Sequence, residues 1–204
     1  MKKLIYIPVI HTEADMGSMA EPLKKEYIKR YGAKGWNEHT GVIKSMWQGI
    51  RQKIFELGLN YNKTRIYQDG LPVCNKELAI ASDLAQAGKG NYKIIIELIQ
   101  RGAKLVGTED PGLLLEDYNY IKAVTKISNL KEKDKAIRKY EKRASDILER
   151  RDEYIANRIR KTLMEGETGV LFMGMRHKVD EILPRDIEVN YLICRLPFKE
   201  SCKV

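Results

Sequence analysis

Gly169-Val-Leu-Phe-Met-Gly-Met-Arg-His177 sets four apolar residues between two glycines and ends on a histidine. A short apolar run bounded by turn signals predicts a buried strand over Gly169–Met173. The same pattern recurs outward along the chain. Leu4–Ile10 is apolar and β-branched and runs into His11. Arg65–Tyr67 is a short strand followed by the turn Gln68-Asp69-Gly70. Lys104–Val106 runs into Gly107-Thr-Glu-Asp-Pro-Gly112, and Ile187–Cys194 is the last strand. Helical periodicity fills the intervals. Helices are predicted over Glu21–Tyr31 (stopped by Gly32), Gly41–Leu57, Lys76–Gln86, Asn91–Arg101 with Asn91 as N-cap, and Leu113–Ile127. Residues 130–165 read as one long charged helix. Strands alternating with helices of this length imply βαβ crossovers, hence an α/β fold with a mainly parallel sheet flanked by helices. No Pro/Gly/Ser-rich linker divides residues 1–204, so one α/β domain is expected.

The 204 residues are 43% hydrophobic, enough for a substantial core, and no run approaches the length of a membrane span. Met1-Lys-Lys followed by apolar residues invites a signal-peptide reading. The run is short, contains Pro8 and lacks a small-residue cleavage pattern, so it reads as the first strand. Cys74, Cys194 and Cys202 have no C-x-x-C spacing and leave one unpaired, which fits a reducing, cytoplasmic compartment. The formal net charge of +9 would suit an anionic partner. Its basic residues are interleaved with acids, and aromatics are only 8% with no basic–aromatic stripe. Nucleic acid is therefore disfavoured as a partner. The 130–165 helix offers a face for a second copy of the chain, and 195–204 forms a basic tail.

In open parallel sheets, ligands bind beyond the carboxyl ends of the strands. Here those ends carry His11, Asp69, Glu109 with Asp110, and His177. Imidazole plus carboxylate is the donor set of Zn, Mn and Fe sites, and it also supplies general acids and bases. The long helix adds a second pointer. Ala144, Leu148, Ile155, Ile159 and Leu163 make one apolar stripe, and Arg151 and Asp152 fall within roughly 60° of its centre, while Asn157 points away. A charged pair so placed faces the core or a crevice and requires partners. No P-loop and no G-x-S-x-G elbow is present. Ser18 sits in the loop after His11, and His39 precedes a helix as a surface or capping residue.

Glu149-Arg-Arg-Asp-Glu-Tyr-Ile-Ala156, followed by Gly169–His177, resembles the superfamily uniting erythromycin esterase, TraB, Tiki and ChaN-like proteins. That group shows an Arg-Asp-x-x-(Ile/Leu/Met)-Ala helix, then a hydrophobic strand and a Gly-x-x-His motif. A second Gly-x-x-His ends its first strand; here Pro8-Val-Ile-His11 keeps the histidine and replaces the glycine. Gly102–Asp110 is similar to the group's middle strand with its acidic end, and Asp69 corresponds loosely to the acidic residue after its second strand. The resemblance implies a two-halved α/β fold with the site between the halves. It also implies His11, Glu109, Arg151, Asp152 and His177 as site residues. Relatives include metal-dependent proteases, ester hydrolases and a haem binder.

Two functional expectations follow. The first is a metal-dependent hydrolase of ester or amide bonds, acting on a small molecule or peptide. His11, His177 and Glu109 would hold a divalent ion (Mn, Zn or Co). Asp69 or Asp110 would be the general base, Arg151 would steady an oxyanion or carboxylate, and Asp152 would orient a ligand. The second is a non-catalytic protein binding a small ligand or cofactor in the same crevice.

Overall fold

The computed structural model describes residues 1–9, 20–125, 127 and 129–193. His11, Ser18, Cys194, Cys202 and the basic tail lie outside these residues. The apolar runs form five strands: β1 (Lys2–Val9), β2 (Thr64–Gln68), β3 (Lys104–Leu105), β4 (Thr168–Gly174) and β5 (Ile187–Tyr191). All pairings are parallel, in the order β3-β2-β4-β1-β5. The strands from the two ends of the chain therefore share one sheet, with β4 inserted between β2 and β1.

Successive side chains of a strand point to opposite faces, and this alternation divides the core in two. Ile7, Val9, Ile66, Val170 and Phe172 face one layer; Leu4, Tyr6, Tyr67, Leu171 and Met173 face the other. The first layer is built by α1 (Ala20–Glu56), α2 (Glu77–Gln86) and α3 (Gly90–Gln100), through Trp47, Ile50, Ile54, Ala81, Ile95 and Leu98. The second is built by α5 (Leu130–Thr162) through Ile155, Ala156 and Ile159, joined by Val179 of the short α6 (Val179–Ile182). Helix α4 (Pro111–Thr125) packs on α5. No helix among the described residues is long and apolar enough to cross a membrane.

Two helix boundaries differ from expectation. Gly32, with φ +76, breaks the helical path as predicted, but the helix resumes at once. The two expected helices are thus halves of one kinked α1. Helix α3 begins at Gly90 with Lys89 at the N-cap position and no side-chain cap, so Asn91 does not cap it. Tertiary packing explains the shift. A Cβ on Gly90 would lie 2.5 Å from Cγ of the Trp47 ring, so only glycine lets α3 start against α1 here. Gly102, with φ +111, ends α3 as expected.

These contacts give opposite signs to two glycine substitutions within α-helices. Gly90→Ala should destabilise by about 1–3 kcal/mol through overpacking against Trp47. Gly41→Ala, where an added Cβ meets nothing within 4 Å, should stabilise by up to about 1 kcal/mol through helix propensity. Urea denaturation of both variants against the wild type checks the pair.

Candidate active site

The connections leaving β2 and β4 pass to opposite faces of the sheet: α2 joins the first layer, and Val179 just after β4 joins the second. Such a divergence between neighbouring strands opens a crevice at their carboxyl ends. The backbone continues the ladder beyond β2, with the Asp69 N–H donating to Phe172 O at 2.9 Å. Gly70 then turns the chain with φ +76. The strand-like segment after β3 runs beside this turn. The amides of Thr108 and Glu109 both donate to Leu71 O, at 2.9 and 3.0 Å, and the Val73 N–H donates to Glu109 O at 2.9 Å. Gly107 makes this approach feasible, since a Cβ there would fall 2.9 Å from the Cα of Val73. Asp69 and Glu109 are thereby brought side by side, both buried.

Arg151 on α5 joins them. Its Nε and Nη2 donate to the two carboxylate oxygens of Glu109 at 2.9 and 2.7 Å. Nη2 also donates to Asp69 Oδ1 at 2.9 Å, and Nη1 reaches Asp117 Oδ2 at 3.4 Å. The Gly70 N–H donates to Glu109 Oε1 at 3.1 Å. Burial raises the pKa of the Glu109 carboxyl, with Arg151 opposing it. The surrounding carboxylates hold Arg151 firmly protonated against its own burial.

His177 closes the group from β4. Its amide donates to Gly174 O at 3.0 Å, making a turn with Met175 and Arg176 at the centre. The Gly174 N–H in turn donates to Asp69 Oδ2 at 3.0 Å. His177 Nδ1 bonds to Asp152 Oδ1, and Asp152 Oδ2 accepts the Lys178 N–H at 2.9 Å. On the other side of the ring, Nε2 lies 3.5 Å from Asp69 Oδ2. Burial favours the neutral ring, but the bonds to Asp152 and Asp69 outweigh it and push the pKa up to about 9. At neutral pH the ring is an imidazolium between two carboxylates.

Asp69, Arg151, Gly174 and His177 line a cavity of about 620 Å³. Val9, Ile121, Ala144, Ile147 and Leu148 supply its apolar side. Asp117 and Tyr140 also reach it, with the Tyr140 hydroxyl donating to Asp117 Oδ1 at 2.9 Å. Burial and this bond push the phenol up to about 12.

Of the expected site residues, Asp69, Glu109, Arg151, Asp152 and His177 converge. Asp110 does not: its Oδ1 accepts the Leu113 N–H at 3.0 Å, capping the start of α4, so it is not placed to act as the general base. His11 lies outside the described residues. His39 stacks on Tyr27 with ring centroids 4.9 Å apart and does not line the cavity. Asn157 is exposed, as the helical geometry required. Sequence reading missed Asp117, Tyr140 and Arg176. Tyr140 was within reach, because it sits one turn before Ala144 on the α5 stripe. Asp117 lies midway between Leu113 and Ile121 at i+4 spacing on α4.

Compared with protein-family models, with curated proteins and with solved structures, the chain shows no significant match to any of them.

The raised His177 pKa links stability to pH. A group whose pKa is higher in the folded state contributes fully below its unfolded value, here the ordinary 6.5, and loses that contribution as pH rises through about 9. The wild type should therefore lose roughly 3 kcal/mol between pH 6 and 10 through this group alone. His177→Gln should show a flatter profile over that range. Urea midpoints of both proteins across the range provide the comparison; parallel profiles would contradict the assignment.

Arg151→Met should cost about 3–5 kcal/mol, because it leaves Glu109 and Asp69 buried without their cation. Adding Glu109→Gln should recover part of that loss, and thermal unfolding of the single and double variants measures the coupling.

Proposed function

We propose that this cavity is the active site of a hydrolase of ester or amide bonds. The observation that carries the reading is a buried imidazole ring and carboxyl group, His177 and Asp69, 3.5 Å apart at the wall of a cavity large enough for a small molecule. Hydrolysis needs one group to take a proton from water and another to give one to the leaving group. A protonated His177 supplies the second and Asp69 the first. Water attacks the carbonyl carbon as Asp69 accepts its proton. The bond to the leaving oxygen or nitrogen breaks as Nε2 of His177 protonates it. Transfer of the proton from Asp69 to His177 across their contact restores both. Asp152 fixes the ring orientation, and Arg151 positions Asp69 and offers positive charge to the developing oxyanion. The resemblance to the erythromycin esterase, TraB, Tiki and ChaN-like group supports the same reading.

A metal-assisted form has its own observation. Asp69, Glu109 and His177 each offer a donor atom, all within 4.8 Å of one another. Together they would hold a divalent ion such as Mn, Zn or Co, which acts as a Lewis acid. Such an ion must compete with Arg151 for the same carboxylate oxygens and with a proton for the imidazole. The acid–base form requires neither exchange.

A panel of chromogenic esters and aryl amides tests the proposal. His177→Gln and Asp69→Asn should each lower kcat/KM by roughly 10²–10⁴-fold, and wild-type activity should decline above about pH 9, where His177 loses its proton. Elemental analysis of protein purified without chelator separates the two forms, since only the metal-assisted one predicts stoichiometric metal lost in Glu109→Gln. Ligands that raise the melting temperature without being turned over would instead favour a binding protein.

A further inference from the structure

Among the described residues, the ionisable groups lining the cavity are paired with one exception. Asp69 is held by Arg151 and lies beside His177, Asp117 is held by Arg151 and Tyr140, and His177 is held by Asp152. Arg176 also lines the cavity, and among the described residues its guanidinium has no carboxylate or hydrogen-bond partner. Its place is built rather than incidental. Met175 and Arg176 are the central residues of the turn closed by the His177 N–H on Gly174 O, and Gly174 is itself anchored to Asp69. The turn that delivers His177 therefore also delivers beside it an exposed guanidinium that no carboxylate among the described residues holds.

We infer that Arg176 is a specificity-determining residue that recognises a carboxylate on the substrate, whose apolar part lies against Ile121, Ile147, Leu148 and the exposed Met175. This inference rests on the reading of the cavity as a substrate site. A guanidinium presents a planar fork of donors that matches a carboxylate. A monoanion fits better than a phosphate dianion, because Asp69 and Asp117 line the same cavity and repel a second negative charge. The substrate class is an amide or ester with an apolar acyl chain and a carboxylate near the scissile bond, as in an N-acyl amino acid.

Isothermal titration with N-hexanoylglycine and its neutral N-methylamide tests this on the full chain. The wild type should bind the acid at least about tenfold more tightly than the neutral analogue, the scale expected of one charged hydrogen-bonded contact, and high salt should narrow the gap. Arg176→Gln should abolish the preference with an unchanged melting temperature, while Arg176→Lys should restore part of it. The His177→Gln variant, impaired in the proposed chemistry, should keep the preference. Equal binding of the two probes, an intact preference in Arg176→Gln, or binding of neither at millimolar concentration overturns the inference. Selective binding of the acid by a wild type that hydrolyses nothing in the panel sinks the hydrolase reading and leaves the Arg176 inference standing.

Discussion

A single guanidinium fixes the geometry at the open edge of this sheet. Arg151 draws its position from α5, which lies across the second face through Ile155 and Ile159, and spends its donors on residues following two different strands. Glu109 follows β3 and Asp69 follows β2. Two carboxylates this close and this buried could not both stay charged without a cation between them. Removing the arginine therefore affects more than one ion pair: it unsettles the loops after β2 and β3 and, through Asp69, the turn after β4.

Topology makes this convergence possible. Because β4 is inserted between β1 and β2, a turn near residue 175 is seated beside a turn near residue 70, and the amide of Gly174 finds Asp69. The neighbouring connections leave toward opposite layers, and residues of α4 and α5 wall the cavity that lies at this edge. The long return from β3 to β4 carries Arg151 and Asp152 in adjacent positions on one helix. One residue leans toward Glu109 and Asp69, the other toward His177, so the same turn of α5 grips both sides of the crevice.

Much of this layout was legible in the sequence because it rests on local chemistry. Apolar runs ending in Asp69, Glu109 and His177 are strand signals, and strand order does not alter which end they point to. The position of Arg151 and Asp152 near the α5 stripe follows from helical periodicity alone. What could not be read was contact across the chain. Glu109 and Asp110 are adjacent and chemically alike, yet one enters the cluster and the other caps α4, a choice made by the pairing of the Glu109 backbone with Leu71 and Val73. Asn91 had the composition of a cap, but the fit of Gly90 against Trp47 sets where α3 begins. Both departures are tertiary packing overriding a local preference.

Buried charge clusters are seldom the most stable solution, since apolar residues of similar size commonly serve a fold as well or better. Here Asp69, Glu109 and Asp152 surround Arg151 and His177 on a site that also opens to a cavity, and the fold bears their desolvation. Strong pKa perturbation combined with an accessible void favours the proposed chemical role over a purely structural one. The two cations also differ in kind. Arg151 keeps its proton throughout the accessible pH range, so it can only orient and neutralise. His177 exchanges its proton near pH 9, and its Nε2 lies beside the one carboxylate that both lines the cavity and touches every other part of the cluster through Arg151 and Gly174. Under the proposed chemistry the proton would move on the Nε2 side, where His177 faces Asp69 at 3.5 Å in the cavity wall, while Nδ1 stays bound to Asp152.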